Sequence, residues 1–193
     1  MIEYVSGRLV ALTPTDAVID VHGIGYQLCI SLATYAKLEG ATETKLLVHE
    51  AIREDAHTLY GFADERERRL FRELIGVSGV GAGTARVILS SIQVPELEQI
   101  IVSGDYGRLK AVKGIGAKTA QRIIVDLKDK IKSMDDTLLI QPTVESEVFD
   151  EALTALTILG YARPQAQKVL KKLFDSDPGI KLEVAIKKAL AML

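Results

Sequence analysis

A repeated nine-residue segment limits the fold more than anything else in the chain. Val112-Lys113-Gly114-Ile115-Gly116-Ala117-Lys118-Thr119-Ala120 has a copy 35 residues earlier, Val77-Ser78-Gly79-Val80-Gly81-Ala82-Gly83-Thr84-Ala85. Six of the nine aligned positions are identical, and Leu74 and Ile88-Leu89 extend the match against Leu109 and Ile123-Ile124. A fixed internal period signals one supersecondary unit used twice. In the second copy Leu109 and Val112 end a short helix. Gly114 and Gly116 then allow a turn with positive φ, or a close approach of the backbone to something outside the chain. Ala120, Ile123, Ile124 and Leu127 follow at i, i+3, i+4 and i+7, one face of a second helix over Ala117–Asp129. The unit is a helix, a hydrophobic Gly-x-Gly hairpin and a second helix.

Such a hairpin presents the free N–H groups of a helix start beside Gly116, Ala117 and Lys118. The helix dipole favours an anion there by about 0.3–1 kcal/mol at an exposed site. Lys118, Thr119 and Arg122 add a cation, a hydroxyl and a second cation within two turns. No group in this set reads a base edge, so phosphate is the natural ligand. Other glycine motifs do not fit. A dinucleotide fingerprint needs Gly where Thr84 and Thr119 stand, and a P-loop needs Gly immediately before its Lys, where Ala117 stands. A single copy could be a hairpin that only packs two helices. A second copy, with Lys, Thr and Arg placed as above, weakens that reading.

The net charge of −2 would argue against DNA binding only if it were evenly spread. Residues 1–62 carry net −4, residues 103–133 carry net +5, and residues 134–149 hold four acids and no base. The positive density sits on the second hairpin and its long helix, as a phosphate footprint requires. Aromatics are scarce and Trp is absent, which disfavours a base-stacking single-strand binder. Cys29 is the only cysteine; it suits core filling and a reducing cytoplasm. The start, Met1-Ile2-Glu3-Tyr4, lacks the features of a signal peptide, and no apolar run approaches the roughly 18 residues of a membrane span. His22, His49 and His57 form no ligand cluster, and His49-Glu50-Ala51-Ile52-Arg53 lacks the second His of a zinc helix, so neither a metal nor a cofactor is expected.

Taken in order, residues 1–63 predict a five-stranded OB-like β-barrel. Its strands are Tyr4 to Leu12, Ala17 to Val21, Tyr26 to Leu32, Lys45 to Ile52 and His57 to Phe62, with a helical turn from Thr34 to Glu39. Arg53-Glu54-Asp55-Ala56 is the tip joining the last two strands. Residues 64–134 predict an all-α tandem helix-hairpin-helix domain. Asp64 caps a helix that runs to about Gly76, with Leu70, Phe71, Leu74 and Ile75 inward and Arg66, Arg68, Arg69 and Arg72 on a solvated face. Pro95 opens a further helix, which Gly104 ends. Residues 135–147 read as a flexible linker, spanning roughly 20 Å r.m.s. if they behave as a flexible chain. Residues 148–193 predict a three-helix module. Phe149, Ala152, Leu153, Leu156 and Leu159 line its first face, Val169, Leu170, Leu173 and Phe174 its second, and Pro178-Gly179 breaks the chain before a last helix.

This order of parts resembles the RuvA family, the junction-recognition subunits of bacterial Holliday junction branch migration complexes. The resemblance covers nearly the whole chain. It is most specific at Arg53–Ala56 followed by Leu59-Tyr60-Gly61-Phe62, at Gly23-Ile24-Gly25-Tyr26, at both hairpins, and at Ala155-Leu156-Thr157-Ile158-Leu159-Gly160-Tyr161. It implies a homotetramer with four-fold symmetry, or two tetramers sandwiching the DNA as an octamer. It implies four-way junction DNA held without sequence preference by Gly79, Gly81, Gly83, Thr84, Gly114, Gly116, Lys118, Thr119 and Arg122. Glu54 and Asp55 match an acidic pin at the tetramer centre, where carboxylates repel phosphates at the crossover and select structure over plain duplex. Leu156, Leu159 and Tyr161 match the segment that holds a RuvB-type hexameric ATPase motor. A RuvC-type junction resolvase is a further implied partner. Gly83 departs from the lysine that relatives often carry there, so the first hairpin must rely on backbone N–H groups with Thr84 and Arg86.

The resulting expectation is a non-enzymatic DNA-structure-binding subunit. Two other classes compete with it. A helix-hairpin-helix glycosylase would use Asp126 or Asp129 as its catalytic acid, but the chain leaves little room for a base-flipping pocket. A general DNA-repair scaffold would use the C-terminal module to bind some other protein.

Overall fold

The computed structural model describes residues 1–139, 144–177 and 179–193, with side chains over 1–131, 148–177 and 179–193. They fall into two compact units, Met1–Met134 and Asp135–Leu193.

In the first unit, β1 (Tyr4–Leu12), β2 (Asp16–Val21), β3 (Ile24–Ile30), β4 (Glu43–Ile52) and β5 (His57–Phe62) close a barrel in the order β1-β2-β3-β5-β4. All pairs are antiparallel except β3 with β5, joined in parallel at Cys29↔Tyr60 and Ile30↔Gly61. This is the OB-like barrel expected. Residues of alternating side, among them Ala17 and Ile19, Leu28 and Ile30, and Leu46 and Val48, fill its interior, as the period of two dictates. Gly7 is required where β1 crosses β2, since a Cβ there would lie 2.2 Å from the Asp20 carbonyl oxygen.

The third strand ends two residues earlier than the sequence suggests. Ser31 leaves the strand and caps α1 (Leu32–Leu38), its Oγ accepting from the Thr34 N–H at 3.0 Å, so Leu32 opens a helix.

The helical part comprises α2 (Glu65–Ile75), α3 (Ala82–Ser91), α4 (Val94–Ser103), α5 (Tyr106–Lys110) and α6 (Ala117–Leu139). Leu70, Phe71, Leu74, Ile88, Leu89, Leu97, Ile101, Leu109 and Ile123 form one core, which Phe62 of β5 joins. Asp64 caps α2 as expected, accepting from the Glu67 N–H at 2.8 Å. Gly104 ends α4 in the left-handed region at φ 82°.

The charged run of α2 is not uniformly solvated. Glu67 is 1% and Arg68 5% exposed. Arg68 donates to the carbonyl oxygens of Glu3 and Val48 and pairs with the carboxylates of Glu3 and Glu65. Glu67 accepts from Ser31 and Thr34. Both residues are therefore seams between helix and barrel.

In the second unit, α7 (Val144–Ile158), α8 (Arg163–Ser176) and α9 (Leu182–Leu190) pack around Ala152, Leu153, Leu156, Ala166, Leu170, Ile180, Ala185 and Ala189. Phe149 meets Phe174 edge-on at 5.2 Å. A core this rich in alanine is small, as a short module requires. Leu159, placed on the inner face by periodicity, is instead 60% exposed. The helix has ended at Ile158, and Gly160 turns the chain at φ 98° so that the Tyr161 N–H returns to the Leu156 carbonyl at 3.1 Å. Helices reach into the stretch read as a linker, α6 through Leu139 and α7 from Val144, and residues 140–143 lie outside the described residues, as does Pro178.

Candidate nucleic-acid interface

The two copies of the repeat fold the same way, bond for bond. In the first, Val77 N–H bonds the Leu74 carbonyl, Val80 N–H bonds Val77, and Ala85 N–H bonds Gly81. In the second, Val112 bonds Leu109, Ile115 bonds Val112, and Ala120 bonds Gly116. Gly79 and Gly114 occupy matching left-handed positions at φ 91° and 89°, where a side chain would be strained. Val80 and Ile115, the residue between each pair of glycines, are both 5% exposed and anchor the turn in the core.

The other glycines serve a different purpose. Gly81 has an ordinary extended φ of −88°, and at Gly81, Gly83 and Gly116 an added Cβ would meet nothing within 4 Å. Among the described residues, no neighbour demands glycine at these three positions. Gly116 is not among the positive-φ glycines, and the bare backbone at these positions leaves room for a group to approach each hairpin from outside. Gly81 caps α3 without any side-chain bond, leaving the first N–H groups of that helix for an external acceptor.

The polar side chains divide unequally. Lys118 is exposed and makes no hydrogen bond or ion pair among the described residues. Thr84 and Thr119 are half-buried. Arg122 is exposed but committed in part: its Nη1 donates to the Ser78 carbonyl at 3.1 Å and to the Ser78 Oγ at 3.0 Å, across 44 residues of sequence. Thr119 Oγ1 lies on the same side, 3.9 Å from where a Gly79 Cβ would stand. The first hairpin is thus braced by the start of α6. Arg86, a candidate cation for the first hairpin, donates instead to the Thr15 carbonyl of the barrel at 3.2 Å. Nothing local in the sequence marks Ser78 as the partner of a side chain so distant.

Glu54 and Asp55 are exposed at the β4–β5 tip, which the Arg53 N–H closes on the Ala56 carbonyl at 2.8 Å. Below them Glu50 accepts from the Ile2 N–H at 2.9 Å and meets the His57 ring at 3.3 Å, and that backbone bond first, with the nearby amino terminus and His57, keeps its carboxyl below the ordinary range. In the second unit, Leu156 is fully buried and belongs to the core, Tyr161 is half-buried against it, and Ile158 and Leu159 are exposed. Asp126 and Asp129 are exposed on α6. The described residues include no cluster of His, Cys, Asp and Glu able to hold a metal, and no helix long and apolar enough to cross a membrane.

Known proteins share this layout. Residues 1–61 match the family model of the RuvA N-terminal domain, 71–129 that of a SAM-like helix-hairpin-helix tandem, and 147–193 that of the RuvA C-terminal domain. The chain is 49% identical over 201 residues to the Holliday junction branch migration complex subunit RuvA of Bacteroides thetaiotaomicron, with all of both chains covered. It is 48% identical over 196 residues to the protein of that name from Parabacteroides distasonis and 45% over 193 residues to that of Flavobacterium psychrophilum, again with both chains fully covered. With the domain models in this order and the likeness running end to end, the chain belongs to the RuvA family.

Proposed function

We propose that this protein binds four-way junction DNA without sequence preference, as the DNA-recognition subunit of a branch-migration complex. The observation that carries the reading is the pair of matching hairpins, each with a bare glycine backbone and a helix start open to an outside acceptor. Two such sites on one rigid helical core suit two phosphates, and phosphate contacts position a duplex without reading it. The basic stretch 103–133 supplies the attraction, while Glu54 and Asp55 oppose duplex passing over the tip. The names carried by the relatives support the junction as ligand.

In this reading four copies assemble around the crossover with their acidic tips at its centre. The protein hydrolyses no ATP, and a RuvB-type hexameric motor does so after docking on the C-terminal unit. The exposed Ile158 and Leu159, with the half-buried Tyr161, are the candidate contacts on that unit, while Leu156 supports them from the core. A RuvC-type resolvase acts on the same junction.

The test is a titration of a synthetic four-way junction against a linear duplex of identical arm sequence, without nucleotide. A clear preference for the junction is expected, and Glu54→Gln with Asp55→Asn should erode it by raising duplex affinity. Equal affinity of the unaltered protein for both DNAs would overturn the reading.

A further inference from the structure

Helix α2 joins two functional ends. Its C-terminus at Ile75 runs through Gly76 straight into the first hairpin. Its N-terminal half is fastened to the barrel, whose strands β4 and β5 carry the acidic tip at their far end. Three adjoining contacts lie at the centre of the fastening, which Arg72 extends to the Val48 carbonyl and Lys37 to the Asp64 cap. Glu67, buried, receives the hydroxyls of Ser31 and Thr34, the second at 2.7 Å, and both belong to the turn and helix between β3 and β4. Arg68, buried, donates to the Glu3 and Val48 carbonyls at 3.1 and 3.4 Å and pairs with Glu3 at 2.5 Å and Glu65 at 2.6 Å, so one guanidinium grips both β4 and the residue before β1. Phe71, one turn on, packs at a tilt against His49 of β4 and against Tyr60 and Phe62 of β5, at 5.3, 5.1 and 4.9 Å between ring centres.

These contacts differ in what they specify. An aromatic cluster tolerates small slides, because dispersion is undirected. Buried polar groups do not, since each must keep its partners or stand unsatisfied in a low-dielectric seam. Among the described residues no buried side-chain nitrogen or oxygen lacks a partner, so the seam is fully satisfied in this one arrangement. An ion pair in such a place is weak evidence for stability, and specification of a single geometry is a recognised alternative role.

We propose that Glu67 and Arg68 are positioning residues that fix the acidic tip of the barrel relative to the first hairpin, and thereby set the protein's discrimination of four-way junction from plain duplex. This rests on the junction-binding reading above. Neither residue touches DNA in this account. They hold the angle at which phosphates seated on the hairpin either clear Glu54 and Asp55 or collide with them. Loosening the seam leaves the phosphate sites intact but lets the tip yield, so plain duplex is no longer excluded.

The experiment titrates the full chain and its Arg68→Ala, Glu67→Gln and Glu3→Gln variants against junction and duplex, with active concentration fixed by stoichiometric binding. For Arg68→Ala the junction-to-duplex affinity ratio should fall roughly tenfold, within the usual range for coupling between distinct sites. Its salt slope on duplex should stay unchanged, because no phosphate contact is lost. Glu67→Gln should act in the same direction. Glu3→Gln removes one exposed arm of the seam without threatening the fold, should lower the ratio to a lesser degree, and decides the matter if Arg68→Ala does not fold. An unchanged ratio in the folded variants overturns the proposal, as does an equal loss of affinity for both DNAs. Absence of junction preference in the unaltered protein would instead defeat the function proposed above.

Discussion

The two hairpins have one backbone and different surroundings. The first sits between supports. Helix α2 enters it from the barrel seam, and Arg122 and Thr119 of α6 flank its turn at Ser78 and Gly79. At the second, a Cβ on Gly114 would meet nothing within 4 Å among the described residues. Their chemistry is complementary to that difference. The second hairpin carries Lys118, which has no bond or ion-pair partner among the described residues, whereas the braced one has Gly83 at the matching position and holds part of the Arg122 guanidinium against its turn. The repeat thus fixes the backbone proposed to receive phosphate, while tertiary neighbours decide which cations stand beside it. Arg122, which sequence order assigns to the second motif, stands in space at the first.

The largest expected effect lies at the cations. Lys118→Ala with Arg122→Ala should cause the largest loss of DNA affinity and lower the log–log salt slope by roughly 0.9 for each phosphate contact removed. A slope that does not move would show that neither side chain lies on phosphate. Next come the glycines, which separate turn geometry from ligand access. Gly79→Ala and Gly114→Ala should each destabilise the fold by about 1–2 kcal/mol through left-handed strain. Gly81→Ala and Gly116→Ala should leave thermal unfolding nearly unchanged and weaken DNA binding instead. Equal destabilisation at all four positions would contradict the division of roles.

Gly83→Lys sharpens the comparison by making the hairpins alike. Space is open there, so the salt slope should steepen by roughly 0.9 and affinity should rise. Removing a glycine from the first turn of α3 should also stabilise the helix by up to about 1 kcal/mol. No gain in slope would mean that Arg122 already neutralises that phosphate.

The smallest effect concerns the seam behind the first hairpin. Burial raises the Glu67 carboxyl above the ordinary glutamate range, against the opposing bonds from Ser31 and Thr34, with Asp64 adding to the rise and Lys37 countering it. A carboxyl with a raised folded-state pKa binds its proton more tightly folded than unfolded. Its contribution is full below the unfolded value and is lost as pH rises through the folded one. The stability of the unaltered protein relative to Glu67→Gln should therefore fall with rising pH across that window, as measured by denaturant unfolding. A pH-independent difference would show that Glu67 does not titrate there.

Much of this molecule was legible because local pattern and tertiary role agree. The barrel strands alternate, the repeat announces itself, and Asp64 and Gly104 end their helices as such residues do. The failures have specific causes. Glu67 lies in a charged run and was not read as inward, although it shares the i, i+3, i+4, i+7 face of Leu70, Phe71 and Leu74; its charge masked its place in that period. Arg68 was read as solvated because nothing local marks the backbone carbonyls it reaches, those of Val48 and Glu3, 20 and 65 residues away. Leu159 satisfied a periodicity that no longer applied once the helix had ended at Ile158. Arg122 was assigned to its own motif, yet its guanidinium bonds Ser78 in the other, since sequence does not show that α6 reaches that turn.

The most direct test of the central claim is to follow the backbone amides of the deuterated, nitrogen-15-labelled full chain by NMR while a four-way junction is titrated in. The account predicts large shifts at Gly81, Ala82, Gly83, Gly116, Ala117 and Lys118, with the barrel faces distant from the tip little changed. Shifts concentrated on the barrel, with both hairpins silent, would contradict it.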